Sequence, residues 1–272
     1  MYSNFILFFL IYLVYLHIIE SLSCPDVNSI QQIDFIDNTN LQSYCHLKSP
    51  FIFEFKSFDP LLFNSININT LMYNKFLKLN IYSISNNKST IINFNKAIPI
   101  FNKEKTNYFT FNNHTFIINN NIIPKFSLFH ELTKPPLSTF THYDIISGSH
   151  LTTTPLRYHT HNRSFIIVIQ GKIHLKTISL SFKDDISIKH NETNLSYDSN
   201  TDIWNTKSKK IPFLDFKMKQ GYILFLPPNL LYSIKFLEPN TLLWMVSYDS
   251  IITSSINYCN SIYNQLDTNF LF

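Results

Sequence analysis

Two histidines one residue apart, His159 and His161, lie in Pro155-Leu156-Arg157-Tyr158-His159-Thr160-His161, just ahead of the apolar run Phe165-Ile166-Ile167-Val168-Ile169. Side chains at i and i+2 of a strand leave on one face, so both imidazoles can aim at one spot. Imidazole pairs hold first-row divalent ions when a further donor joins them. A second segment, Gln220-Gly221-Tyr222-Ile223-Leu224-Phe225-Leu226-Pro227-Pro228-Asn229-Leu230-Leu231-Tyr232, ends on a phenol and looks like the other half of such a site. Tyr232 is a poor ligand, because a phenol with a pKa of about 10 is neutral at pH 7. The same residues also fit plainer roles, as satisfied strand histidines and a packed tyrosine with its hydroxyl hydrogen-bonded. Arg157, two residues before His159 and on its face, suits either an anionic ligand or a salt bridge.

These residues need a rigid frame, and the surrounding pattern predicts one made of strands. From Phe140 onward, short apolar runs alternate with turn residues. Thr141 to Ser147, Leu156 to His161, Phe165 to Gln170, Ile173 to Leu180, Phe213 to Met218, Tyr222 to Leu226, Ser233 to Leu237 and Leu242 to Tyr248 all read as β. Short, evenly spaced strands rich in β-branched and aromatic residues predict a sandwich or barrel. The polar stretch 183–210 reads as a long surface insertion. Upstream the pattern is mixed. A helical entry is expected over Ser29 to Cys45, a strand over Phe51 to Phe55, and a helix over Asn69 to Leu79. Strands follow at Tyr82 to Ser85 and Tyr108 to Phe111, then a loop or weak helix over Asn112 to Asn121. The chain has three glycines, and Gly148, Gly171 and Gly221 each fall beside a predicted strand, where glycine supplies backbone freedom.

The chain has 272 residues, with 45% hydrophobic and 16% aromatic, which excludes wholesale disorder and allows one sizeable core. Net charge is +4 with lysines scattered, so no nucleic-acid footprint is expected. Phe5 to Leu16 is an unbroken apolar run followed by small residues at Ser21 and Ser23. A run of that length suits a signal-peptide core and falls short of the roughly 20 residues that span a bilayer. Entry to the secretory pathway is expected, with membrane attachment if the segment stays uncleaved. Sequons at Asn87, Asn113, Asn162, Asn191 and Asn194 are glycosylation candidates. Cys24 and Cys45 are the nearer pair of the three cysteines for a disulfide; three free thiols are the alternative.

In order along the chain stand Pro135-Pro136-Leu137, the Gly148 loop, Pro155-Leu156, His159-Thr160-His161, Gly171-Lys172, Trp204 and Gln220-Gly221-Tyr222-Ile223-Leu224-Phe225-Leu226-Pro227. With Cys24, Tyr108-Phe109 and Asn112-Asn113-His114-Thr115 upstream, this resembles the JmjC-domain-containing protein 8 family, cupin-like proteins of the ER lumen. The glycine and His-x-His landmarks are its specific part. The resemblance implies a mainly β fold, a cupin/JmjC-type double-stranded β-helix (jelly roll), with an N-terminal α+β extension. It implies a signal peptide at 1–23, a mixed part at 24–135, the jelly roll at 136–250 and a tail at 251–272.

In JmjC oxygenases two histidines and a carboxylate hold Fe(II), leaving positions for 2-oxoglutarate and O₂. Here the carboxylate position holds His161 and the distal histidine position holds Tyr232, so His159, His161 and Tyr232 are a degenerate metal set. A lysine two residues after the glycine commonly anchors 2-oxoglutarate in such enzymes. That position is Ile173, while Lys172 is adjacent and, with Arg157, a candidate for ligand binding. The resulting expectation is a non-catalytic protein acting through protein partners in the secretory pathway, with no cofactor. Two alternatives are a divergent Fe(II)/2-oxoglutarate hydroxylase built on His159 and His161, and a barrel that binds a small anion near Arg157.

Overall fold

The computed structural model describes residues 2–22, 29–34, 37–84, 88–103, 106–118, 120–185, 188–191, 196–199, 203–204 and 212–255. The chain opens with α1 (Tyr2–Leu22), β1 (Gln31–Gln32), α2 (Asn38–His46), β2 (Phe51–Glu54), α3 (Pro60–Ser65) and α4 (Ile68–Met72). Then come β3 (Lys78–Ser83), β4 (Lys88–Asn93), α5 (Phe94–Phe101), β5 (Tyr108–Thr110), α6 (His114–Ile118) and α7 (Ser127–Thr133). The remainder is strand: β6 (Ser138–Gly148), β7 (Leu156–His159), β8 (Arg163–Gln170), β9 (Lys172–Ser179), β10 (Ile188–Asn191) and β11 (Ser196–Ser199). β12 (Leu214–Lys219), β13 (Tyr222–Leu226), β14 (Leu230–Phe236) and β15 (Leu242–Ser250) complete it.

The fold is mainly β and built from two sheets. The larger runs β1-β2-β13-β8-β15-β6-β5-β3-β4, and the smaller runs β10-β11-β7-β14-β9-β12. Apolar residues of β6, β8, β13 and β15 (Ile146, Ile166, Val168, Leu224, Leu243, Met245) meet Ile173, Leu175, Tyr232, Ile234 and Phe236 of β9 and β14 between the sheets. The opposite face of the larger sheet, with Phe165, Ile167, Phe225, Trp244 and Val246, packs on the helices through Leu62, Phe63, Ile98, Phe126 and Phe129. Burial on both faces is why β8 reads as a continuous apolar run without alternation.

Short polar caps set α2, α3 and α4 of the N-terminal part. Asp37 accepts the Asn40 N–H at 2.8 Å, Asp59 the Leu62 N–H at 2.9 Å ahead of Pro60, and Asn67 the Thr70 N–H at 3.0 Å. Each satisfies a donor that the first helical turn leaves without a partner.

Several expectations change here. The helix expected over Asn69 to Leu79 ends at Met72; Leu77 is buried just ahead of β3, and Leu79 and Ile81 then alternate inward along it. The apparent helical spacing joined the last turn of α4 to the buried face of a strand. Ser29 to Cys45 holds a short strand before its helix. The insertion 183–210 is not all loop: β10 and β11 pair with each other, and β11 pairs with β7 in a register that sets Tyr197 opposite Tyr158. The N-terminal part also shares the larger sheet, since β2 pairs with β13 and β5 with β6.

Candidate functional site

One end of the two-sheet core is polar. Along β15 the residues facing the smaller sheet are Leu243, Met245, Ser247 and Asp249, and along β6 they are Ile146, Asp144 and His142, so both strands pass from apolar to polar toward that end. The β7–β8 turn crosses there and brings His159 and His161 over these residues. The position follows from strand alternation: each strand runs past its last apolar contact by one or two repeats of period 2.

The expected trio His159, His161 and Tyr232 divides between two partnerships. Tyr232 pairs in register with Arg157 on one side and Thr177 on the other. Its hydroxyl lies 2.7 Å from His159 Nε2. His159 is half-buried, and the desolvation of its ring, followed by the Arg157 charge and the neighbouring imidazoles, holds it well below the usual histidine range. It is therefore a neutral ring whose Nε2 is committed to a phenol. Its Nδ1 is buried without a hydrogen-bond partner among the described residues.

His161 turns the other way. Its Nδ1 is 2.6 Å from Asp249 Oδ2, and His142 Nε2 is 3.5 Å from the same oxygen. The Asn162 backbone N–H donates to Asp249 Oδ1 at 3.0 Å. Burial pushes the Asp249 carboxyl up, but the His161 charge and the hydrogen bonds from His142, His161 and Asn162 outweigh it and hold the group below its ordinary range. The imidazoles form a row: His114 to His142 is 4.8 Å between ring centroids, His142 to His161 is 4.7 Å, and His161 to His159 is 5.7 Å. The Tyr143 N–H donates to His114 Nδ1 at 3.1 Å, which places the ring proton of neutral His114 on Nε2.

The set expected for an oxygenase site, His159, His161 and Tyr232, does not converge on one point, since His159 faces the Tyr232 phenol and His161 faces Asp249. Fe(II) of that type needs two imidazoles and a carboxylate on one face with positions left open. Among the described residues, the two imidazoles and one carboxylate that do come together are His142, His161 and Asp249, with ligand atoms within 4.8 Å of one another.

The ligand-binding candidates are placed as follows. Arg157 is 1% exposed, its guanidinium lies 3.7 Å over the Phe111 ring, and its Nη2 donates to Asn112 Oδ1 at 3.3 Å. Asp144 lies within reach of its charge and accepts the N–H groups of Asn112 and Asn113 at 2.7 and 2.8 Å. Arg157 is thus a packed interior cation rather than an open anion receptor. Lys172 sits at the far end of β8 from His161 and pairs with Glu238 at 2.8 Å on the surface.

Among the sequons, Asn113 is fully buried. Its Nδ2 donates to Ile145 O at 2.7 Å and Asp144 Oδ1 at 3.0 Å, so the folded chain has no room for a glycan there. Asn162 is half-buried beside the histidine row, Asn191 ends β10, and Asn87 and Asn194 lie outside the described residues. Cys45 is a buried free thiol, and its expected partner Cys24 lies outside the described residues.

Sequence reasoning missed His142, Asp249 and His114. The signal for the first two was present. Extending the alternation of β15 by one repeat past Ser247 reaches Asp249, and His142 shares the parity of Ile146 on β6. Comparison with protein-family models and with curated proteins finds no match for this chain.

Proposed function

We propose that this chain is a cupin/JmjC-type double-stranded β-helix of the secretory pathway, kept as a scaffold for protein partners, with its oxygenase position converted into a structural contact. The observation that carries this reading is the 2.7 Å contact between His159 Nε2 and the Tyr232 hydroxyl. It occupies the nitrogen that an iron centre built on His159 and His161 would require.

Strand order supports the fold assignment. Among the eight strands β6–β9 and β12–β15, successive strands alternate between sheets except at β9 and β12, which are neighbours in the smaller sheet, so that β6-β15-β8-β13 faces β7-β14-β9-β12 in the manner of a barrel-like roll. Ile173 supports the absence of an oxoglutarate anchor, being fully buried opposite Phe236. The burial of Arg157 disfavours the anion-binding reading. The side chains of α1 from Phe5 to Leu16 are exposed, an arrangement suited to a leader segment that the mature protein does not keep. Among the described residues, no helix is long and apolar enough to cross a membrane. Exposed Tyr73 and Phe76, in the turn between α4 and β3, offer aromatic anchors to a protein partner.

The test is reconstitution of the full chain with Fe(II) and 2-oxoglutarate under anaerobic loading, followed by exposure to oxygen and measurement of oxoglutarate decarboxylation. The expected rate equals that of free iron, in wild type and in His159→Ala alike. Turnover of the wild type above that of free iron overturns the proposal, whether or not His159→Ala removes it. For the scaffold role, cross-linked partners should persist in His159→Ala and decline in a Tyr73→Ser, Phe76→Ser double variant.

A further inference from the structure

His142, His161 and Asp249 come from three separate strands or turns, yet each offers a ligand atom within 4.8 Å of the other two. We propose that these three residues bind a first-row divalent cation of the Zn²⁺ class at the polar end of the core, in a site displaced from the His159–Tyr232 position. This goes beyond the scaffold reading and does not depend on it.

The geometry suits an ion of that size. Zinc takes imidazole nitrogen at about 2.0–2.1 Å and carboxylate oxygen at about 2.0–2.2 Å, which places tetrahedral ligands about 3.4 Å from one another. His142 Nε2 and Asp249 Oδ2 are already 3.5 Å apart. His161 Nδ1 and Asp249 Oδ2, at 2.6 Å, need to open by less than about 1 Å as the ion replaces the shared proton. The two imidazole nitrogens lie within 4.8 Å of one another and would close by up to about 1.4 Å, through rotation about the His142 and His161 side-chain torsions.

The surroundings suit it too. Asp249 is 1% exposed, and its ionic partners among the described residues are both imidazoles. A buried carboxylate requires compensation, and a divalent ion provides it directly. The Asn162 N–H fixes Oδ1 and leaves Oδ2 aimed at the two rings, the kind of outer contact that orients metal ligands. His142 is 34% exposed, so the ion has a route in from solvent and a fourth position open to water. Its sequence signature is weak because the three residues are far apart along the chain.

The experiment loads the full chain with ZnCl₂, removes excess by gel filtration, and measures bound zinc by atomic emission alongside the melting temperature. About one zinc per chain and a raised melting temperature are expected. His142→Ala and Asp249→Asn should each lower zinc affinity at least tenfold, while His159→Ala retains it. His142 is partly exposed, so His142→Ala tests the site even if Asp249→Asn fails to fold. Failure of the wild type to retain zinc, zinc retained by a folded His142→Ala protein, or zinc lost in His159→Ala overturns the proposal. Oxoglutarate turnover would instead count against the scaffold reading.

Discussion

The hydroxyl of Tyr232 on β14 meets Nε2 of His159 at the end of β7 at 2.7 Å, across a gap between two strands that pair directly through Arg157 and Tyr232. A contact there couples the site to the register of the smaller sheet. It also decides how the imidazole is used, because a ring nitrogen hydrogen-bonded to a phenol cannot simultaneously hold an ion.

Tyr232→Phe should destabilise the fold by about 1–3 kcal/mol, the cost of leaving a buried polar group without its partner. His159 Nδ1 already lacks a partner among the described residues, so the variant strands the second nitrogen as well. Combining it with His159→Leu should recover much of the loss, since both polar groups then leave together. Urea denaturation of the four proteins of this cycle measures the coupling. Equal destabilisation by the double variant and the sum of the singles would show that the contact carries no energy.

Cys45 is buried on α2, and burial, only partly opposed by the Arg163 charge, pushes its thiol up to about 12. The thiolate is the reactive form, so the native protein should label slowly at this residue with a maleimide at pH 8 and rapidly once unfolded. Peptide mapping after labelling in the presence and absence of denaturant checks this. A Cys45 that stays unlabelled in denaturant without reductant would instead reveal a disulfide.

Asn113 accepts the Asn80 N–H at 2.7 Å through its Oδ1 and donates through its Nδ2 to Ile145 O and Asp144. Expression in a glycosylating host should give folded protein whose Asn113 peptide is unmodified, as read by glycopeptide mass spectrometry. Asn113→Ala should cost about 1–3 kcal/mol for each buried group it strands, and folded yield should fall accordingly.

How much of this was legible beforehand depends on which force set each element. β8, β13 and β15 were readable because burial on one or both faces writes itself directly into residue type: Phe165 to Ile169 has no polar residue to mislead. Gly171 was readable for a local reason, since its φ of +82° and the approach of Thr241 leave no place for a Cβ. β3 was misread because Leu71, Leu77 and Leu79 are all buried in the same core cluster, and spacing alone cannot separate the end of a helix from the strand that follows it. β10 and β11 were missed because backbone pairing fixes them, β11 on β7 and β10 on β11, and pairing leaves little mark on polar side chains. The site was half legible. His159 and His161 share a segment, whereas His142 and Asp249 join them only through the pairing of β6 with β15, where His142 lies opposite Ser247.

His130 supplies one part of the pH dependence. Its two ring nitrogens meet the Tyr248 hydroxyl at 2.8 Å and the Tyr143 hydroxyl at 2.7 Å, and α7 packs it against the larger sheet. Burial, with a smaller contribution from Lys134, lowers it to about 4 in the folded chain. An unfolded histidine titrates near pH ~6.5. Above that value both states are neutral, and His130 contributes no slope. As pH falls through the window between about 6.5 and 4, the unfolded state takes up the proton first, so stability drops with falling pH, and the slope ends once the folded state also protonates. His130→Gln should flatten the part of the curve that belongs to this residue. Melting temperatures of wild type and variant at half-unit steps from pH 4 to pH 8 provide the comparison. Parallel curves across that window would mean that His130 titrates alike in both states and that its two tyrosine contacts do not hold it neutral.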